Sequence, residues 1–159
     1  MKIISTYPAK IKESSGAFEA TAVLYRQAVD YFIGIMLKHW DKQFASLPNI
    51  NVVTRQTELL CWPTSKRPLT QYDFGKSFYK FPSYLRRAAI SEAYGMVSSY
   101  HTRLKQWKAS PQGKEPGLPK VGRTFPAMYR EVMFKNTTDR YTVRIKVFIR
   151  NTWDWTEVK

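Results

Sequence analysis

The sequence predicts an α+β protein in which a helical segment is inserted between a first strand and a C-terminal β-meander. Three observations predict it. In residues 81–107, a turn of about 100° per residue puts Leu85, Ala89, Ala93, Met96, Tyr100, Leu104 and Trp107 on one face. In residues 141–150 the period drops to two: Tyr141, Val143, Ile145, Val147 and Ile149 alternate with Thr142, Arg144, Lys146, Phe148 and Arg150. Between these runs lies SPQGKEPGLPK, residues 110–120, which is rich in Pro and Gly and therefore a loop.

Taken in order, residues 2–12 have strand composition, but Pro8 confines them to an edge or a bulge. Ser14, Ser15 and Gly16 then signal a helix start, and Leu24, Ala28, Tyr31 and Ile35 mark the buried stripe of the helix that follows. Pro48 and Asn49 break it. Residues 48–82 contain Pro48, Pro63, Pro68 and Pro82, so short helices and loops are expected there, one helix around residues 54–60. Ser83, after Pro82, is a good N-cap for a helix running to about Lys108. Beyond the loop, AMYREVMF is a candidate strand, NTTD a turn, RYTVRIKVFIR a second strand, and NTWDWTEVK a third after a turn at Asn151 and Thr152. The expected organisation is a first strand within 1–14, a helical insert over 15–112 and a meander over 113–159, with the first strand joining the last ones. No repeat or low-complexity tract is visible.

Composition narrows the function classes. The 159 residues carry 26 Lys and Arg against 12 Asp and Glu, a net charge of +14. Residues 101–159 hold 13 of those bases and 5 of those acids. Such a balance calls for a polyanionic partner, and nucleic acid is the commonest one. A 43% hydrophobic and 15% aromatic content excludes a disordered chain. A single cysteine, Cys61, excludes an internal disulfide and a Cys-rich zinc site. With neither a signal peptide nor a run approaching a membrane span, a soluble, cytoplasmic protein without a membrane partner is expected.

Catalytic signatures are missing. The acids are scattered singly, with no carboxylate or HExxH-type metal cluster and no nucleotide-binding Gly-rich loop. His39, next to Trp40 near a helix end, reads as structural. No catalytic residue and no metal ligand is assigned. Binding fits better, because Lys and Arg neutralise phosphates and aromatic rings stack on exposed bases. Both types interleave in residues 78–81, 84–87 and 123–130. From charge and period, Arg86, Lys105, Lys108, Lys120, Arg123, Arg144, Lys146 and Arg150 are candidate phosphate contacts.

FPSYLRRAAISEAYGMVSSYHTRLKQW, GKEPGLPK, FPAMYREVMF and the RYTVRIKVFIR to WDWTEVK meander follow the order of the N-terminal half of TnpB-like proteins. STYPAKIK and LYRQAVDYF resemble that family's opening strand and first helix. These are insertion-sequence-encoded, RNA-guided DNA nucleases related to type V CRISPR effectors. The resemblance implies a wedge-type partial barrel with an inserted recognition domain, holding a guide RNA and reading a short motif beside a double-stranded DNA target. It also implies Ser83, Tyr84 and Arg87, with Lys135, as the motif-side residues. The family's RuvC nuclease domain lies C-terminal to the matching region, and the expectation is that this protein lacks it. Mg2+ would therefore enter only with a second polypeptide or a C-terminal half carrying that domain. The alternative expectation is a stand-alone, non-enzymatic RNA- or DNA-binding protein such as a repressor or an RNA chaperone.

Overall fold

The computed structural model describes Ile11 and residues 16–122, 131–139 and 141–159. The described residues form an α+β fold of four α-helices and one three-stranded antiparallel sheet. The chain divides into two compact units, Thr21–Ala127 and the pair of segments Met1–Ala20 and Met128–Lys159. The loop after the long helix thus groups with the helices, whereas the predicted boundary stood at 112/113. Apart from Ile11, the predicted first strand lies outside the described residues. No helix among them is long and apolar enough to cross a membrane.

In the helical unit, α1 (Gly16–His39) buries Ala28, Val29, Phe32, Ile33, Ile35 and Met36. Its apolar face is wide, as burial on several sides demands. A π-helical turn, Trp40–Phe44, continues it. Helix α2 (Ile50–Cys61) starts earlier than residues 54–60 because Asn49 caps it, its side-chain oxygen accepting the Asn51 and Val52 N–H groups at 3.1 Å. The single turn α3 (Phe74–Ser77) is capped by Asp73. It sets Phe74 at the centre of an aromatic cluster, stacked on Phe32 at 5.0 Å and on Phe78 at 4.6 Å, with Phe81 edge-on at 5.5 Å.

Helix α4 (Ser83–Ala109) buries Leu85, Arg86, Ala89, Ile90, Ala93 and Val97. The predicted stripe is therefore right for Leu85, Ala89 and Ala93 but drifts afterwards. Met96, Tyr100, Leu104 and Trp107 are only half-buried. Trp107 instead packs under the loop, its indole N–H reaching the Gly113 carbonyl at 3.4 Å. The one acid of the helix, Glu92, accepts the Tyr25 hydroxyl at 2.9 Å, which ties α4 to α1.

In the sheet unit, β1 (Phe134–Asn136) pairs with β2 (Val143–Ile149), and β2 with β3 (Thr152–Val158). Of the predicted strand AMYREVMF, residues 127–130 lie outside the described residues and 131–133 form a turn, so β1 begins at its last residue. The NTTD turn closes on Asp139, whose carboxylate accepts the Tyr141 N–H at 3.0 Å and the Thr142 hydroxyl. These two bonds hold the Asp139 carboxyl below the usual carboxylate range. Between β2 and β3 only Arg150 and Asn151 intervene, with φ of 48° and 61°. Positive φ at both positions is the type I′ hairpin turn, whose twist matches that of the strands. The turn thus falls one residue before the predicted Asn151–Thr152 position.

Candidate nucleic-acid interface

The predicted binding residues separate by burial. Arg86 is 6% exposed. Its guanidinium gives two N–H bonds to Glu58 Oε1, at 2.9 and 3.2 Å, and lies 3.8 Å from the centre of the Trp62 ring. It is a structural cation satisfied inside the fold, not a phosphate contact, because a carboxylate and an indole already occupy its donors and its face. Phe78 and Phe81 are likewise core residues, which removes them from the predicted stacking set. Tyr79 and Lys80 remain exposed.

Ser83, Tyr84 and Arg87 all lie exposed on the first turns of α4. Ser83 is not the N-cap: Pro82 occupies that position, and no side chain caps the helix. A proline N-cap offers no side-chain acceptor, so the positive end of the helix is presented without one. Tyr84 and Arg87, three residues apart, project from one side, while Leu85 and Arg86 face inward. Lys105 and Lys108 are exposed near the other end of α4, about 30 Å away along the axis at 1.5 Å per residue. Lys120 is exposed on the loop, and Arg123 lies outside the described residues.

The remaining predicted residues belong to the sheet unit. Register places Lys135 opposite Arg144, and Lys146 opposite Trp155. Residues directly opposite in an antiparallel pair share a face. One face therefore carries Lys135, Arg144, Lys146 and Phe148 together with Trp153, Trp155 and Glu157. The other carries Val147 and Val158, the fully buried residues of the strands. The alternation expected for 141–150 thus holds through β2 but not at its flanks: Tyr141 is exposed and Thr142 buried, the reverse of the expected pattern, and Arg150 sits in the turn, not on the cationic face. The cationic charge is also partly offset, since Arg144 pairs with Glu157 at 2.8 Å.

Sequence reasoning did not single out Trp155. Both lysines of this face lean over its ring, Lys135 Nζ at 4.8 Å and Lys146 Nζ at 5.9 Å from the centroid. Lys135 spans the middle strand to reach it. The spacing of Trp153 and Trp155, two apart in a strand opposite the Arg144 and Lys146 alternation, was the available signal.

Other reactive groups are structural. Burial pushes the Cys61 thiol up to about 12, so it is protonated and inert at neutral pH. His39 bonds the Tyr72 hydroxyl at 2.9 Å, and His101 stacks on Trp40 at 4.7 Å. His101 is thereby a packing residue. Among the described residues no group of three or more His, Cys, Asp or Glu could hold a metal ion.

Fold and surface define a small basic α+β protein with an aromatic-cationic sheet face. The chain belongs to the Aq_aa04 family, whose model matches residues 5–149. It is similar to a protein of Aquifex aeolicus (strain VF5) named uncharacterized protein aq_aa04, with 27% identity over 145 residues, covering 78% of this chain and 80% of the relative. No solved structure matches it.

Proposed function

We propose that this protein is a non-catalytic nucleic-acid-binding protein that holds structured RNA. The observation that carries the reading is the convergence of Lys135 and Lys146 on the Trp155 ring, on the sheet face opposite Val147 and Val158. Ammonium groups beside an indole suit a phosphodiester chain with its bases, and a net charge of +14 supplies the long-range attraction. In its narrower form the RNA is a guide, and the chain is the recognition part of a TnpB-like DNA-targeting protein. Ser83, Tyr84 and Arg87 then read a target-adjacent motif in duplex DNA, and a second polypeptide supplies the nuclease and its Mg2+. A cytoplasmic setting goes with either form.

One observation favours a second reading, a stand-alone RNA- or DNA-binding protein. Four-fifths of the Aquifex relative lies within the alignment, which leaves that relative little chain for a nuclease domain.

The test is co-purification from the host followed by sequencing of the bound RNA, with affinity measured as salt is varied. A surface neutralising roughly 6–8 phosphates should lose orders of magnitude in affinity between low and moderate salt. An RNA joined to sequences matching a DNA target supports the guide form, and an RNA without them supports the stand-alone form. Affinity that is flat in salt would overturn both.

A further inference from the structure

On the sheet face opposite Val147 and Val158, Phe148 and Trp153 pack on each other at 5.6 Å, and Trp155 beside them is half-buried. A half-buried indole on the face opposite Val147 and Val158 contributes little to the core they form. Its ring is covered instead by two ammonium groups, Lys135 Nζ at 4.8 Å and Lys146 Nζ at 5.9 Å. Both belong to long, flexible stems that can swing away at little cost. A neutral planar ring with an attached anion can displace them and use both parts: the base stacks on the indole, and the displaced lysines turn to its phosphates.

We infer that Trp155 is the stacking platform for an unpaired base of a structured RNA, with Lys135 and Lys146 holding the phosphates on either side. This rests on the reading of the protein as an RNA binder and adds what that face recognises. A duplex cannot use the platform, because its bases are already stacked on one another and present only edges and backbone. The charge pattern agrees. Arg144 on this face is neutralised by Glu157. The cationic character nearest the ring thus comes from two adjustable lysines, suited to one nucleotide rather than to a rigid double backbone. Lys135 on β1, Lys146 on β2 and Trp155 on β3 meet only through the strand register, so the site exists only in the assembled sheet.

The test uses the full chain and two labelled RNAs with equal numbers of phosphates, a hairpin with an adenosine loop and a blunt duplex. The unsubstituted protein should prefer the hairpin. Trp155→Leu should lower hairpin affinity about 5- to 150-fold, the range for loss of one base–aromatic stack, and leave duplex affinity unchanged. Trp155→Phe should retain most of the preference. If Trp155→Leu does not fold, a hairpin carrying 5-iodouridine in the loop is photo-crosslinked to the unsubstituted protein and the adduct mapped. An adduct on Trp155 supports the platform. Salt-dependent binding of both RNAs with no hairpin preference, an unaffected Trp155→Leu variant, or adducts confined to other segments overturns it and leaves the broader reading standing. No binding of either RNA overturns both.

Discussion

The Arg86 guanidinium lies over the Trp62 ring, 3.8 Å from its centre, and from there grips the Glu58 carboxylate of α2. A residue that looks by sequence like one of a pair of surface bases is the electrostatic tie between α2 and α4. Arg86→Ala should therefore act on stability. With Arg86 deeply buried and Glu58 partly solvated, the expected loss is roughly 2–4 kcal/mol in urea denaturation. A double-mutant cycle with Glu58→Gln should show strong coupling. Wild-type stability with weakened RNA binding would mean that the side chain faces a ligand after all.

Arg87, the next residue, is exposed and should behave oppositely. Arg87→Ala should leave the urea midpoint within about 0.5 kcal/mol of the parent, as for most surface changes. In a randomised DNA library it should relax one position of any preferred motif, since a bidentate Arg–guanine contact is worth about 1–3 kcal/mol of discrimination. An intact motif with reduced RNA affinity would assign this turn of α4 to RNA instead.

The sheet charges make a third prediction, and one sign in it is unusual. Lys135→Gln and Lys146→Gln should each lower the slope of log affinity against log salt by about 1. Glu157→Gln should tighten RNA binding, because it removes a carboxylate and frees the Arg144 guanidinium it holds at 2.8 Å. Filter binding across a salt series reads all three variants. Weaker binding by Glu157→Gln would show that the pair positions Arg144 rather than neutralising it.

The hairpin turn carries strain that can be relieved. Arg150 has φ of 48° and Asn151 φ of 61°, a conformation that Asn–Gly adopts more readily. The double substitution Arg150→Asn with Asn151→Gly should raise stability by about 0.5–1 kcal/mol. Its RNA affinity should fall by no more than one peripheral charge explains. A lower thermal midpoint would mean that the turn is not of this type.

His101 links stability to acid pH. Its ring stacks on Trp40, and Nε2 is buried with no hydrogen-bond partner among the described residues. Desolvation lowers its pKa below 6.5; Lys108 adds to the shift and Asp41 opposes it. The unfolded chain thus binds the proton more readily. This contribution is complete above about pH 6.5 and is lost as pH falls through the folded-state pKa. His101→Gln should flatten that fall in thermal melts between neutral and acid pH. An unchanged profile would place the titration elsewhere.

The α+β class, α1, α4 and the alternation of β2 were legible because each depends on a local period that the chain repeats over several residues. Net charge likewise needs only composition. What one residue does on a helix flank was not legible. Arg86 and Arg87 are neighbours of the same type, and only the packing of α2 against α4 turns one onto Glu58 and leaves the other in solvent. Ser83 gave an N-cap signal, yet the helix starts one residue early because Pro82 takes the cap. The start of β1 and the position of the hairpin turn were missed for a related reason. Pairing partners, not propensity, set where a strand begins, and the register of β2 with β3 leaves only Arg150 and Asn151 outside the ladder. The same register gathers Lys135, Lys146 and Trp155 from three strands around one ring. Strand pairing is a contact between distant parts of the chain, so that cluster belongs to the tertiary structure alone.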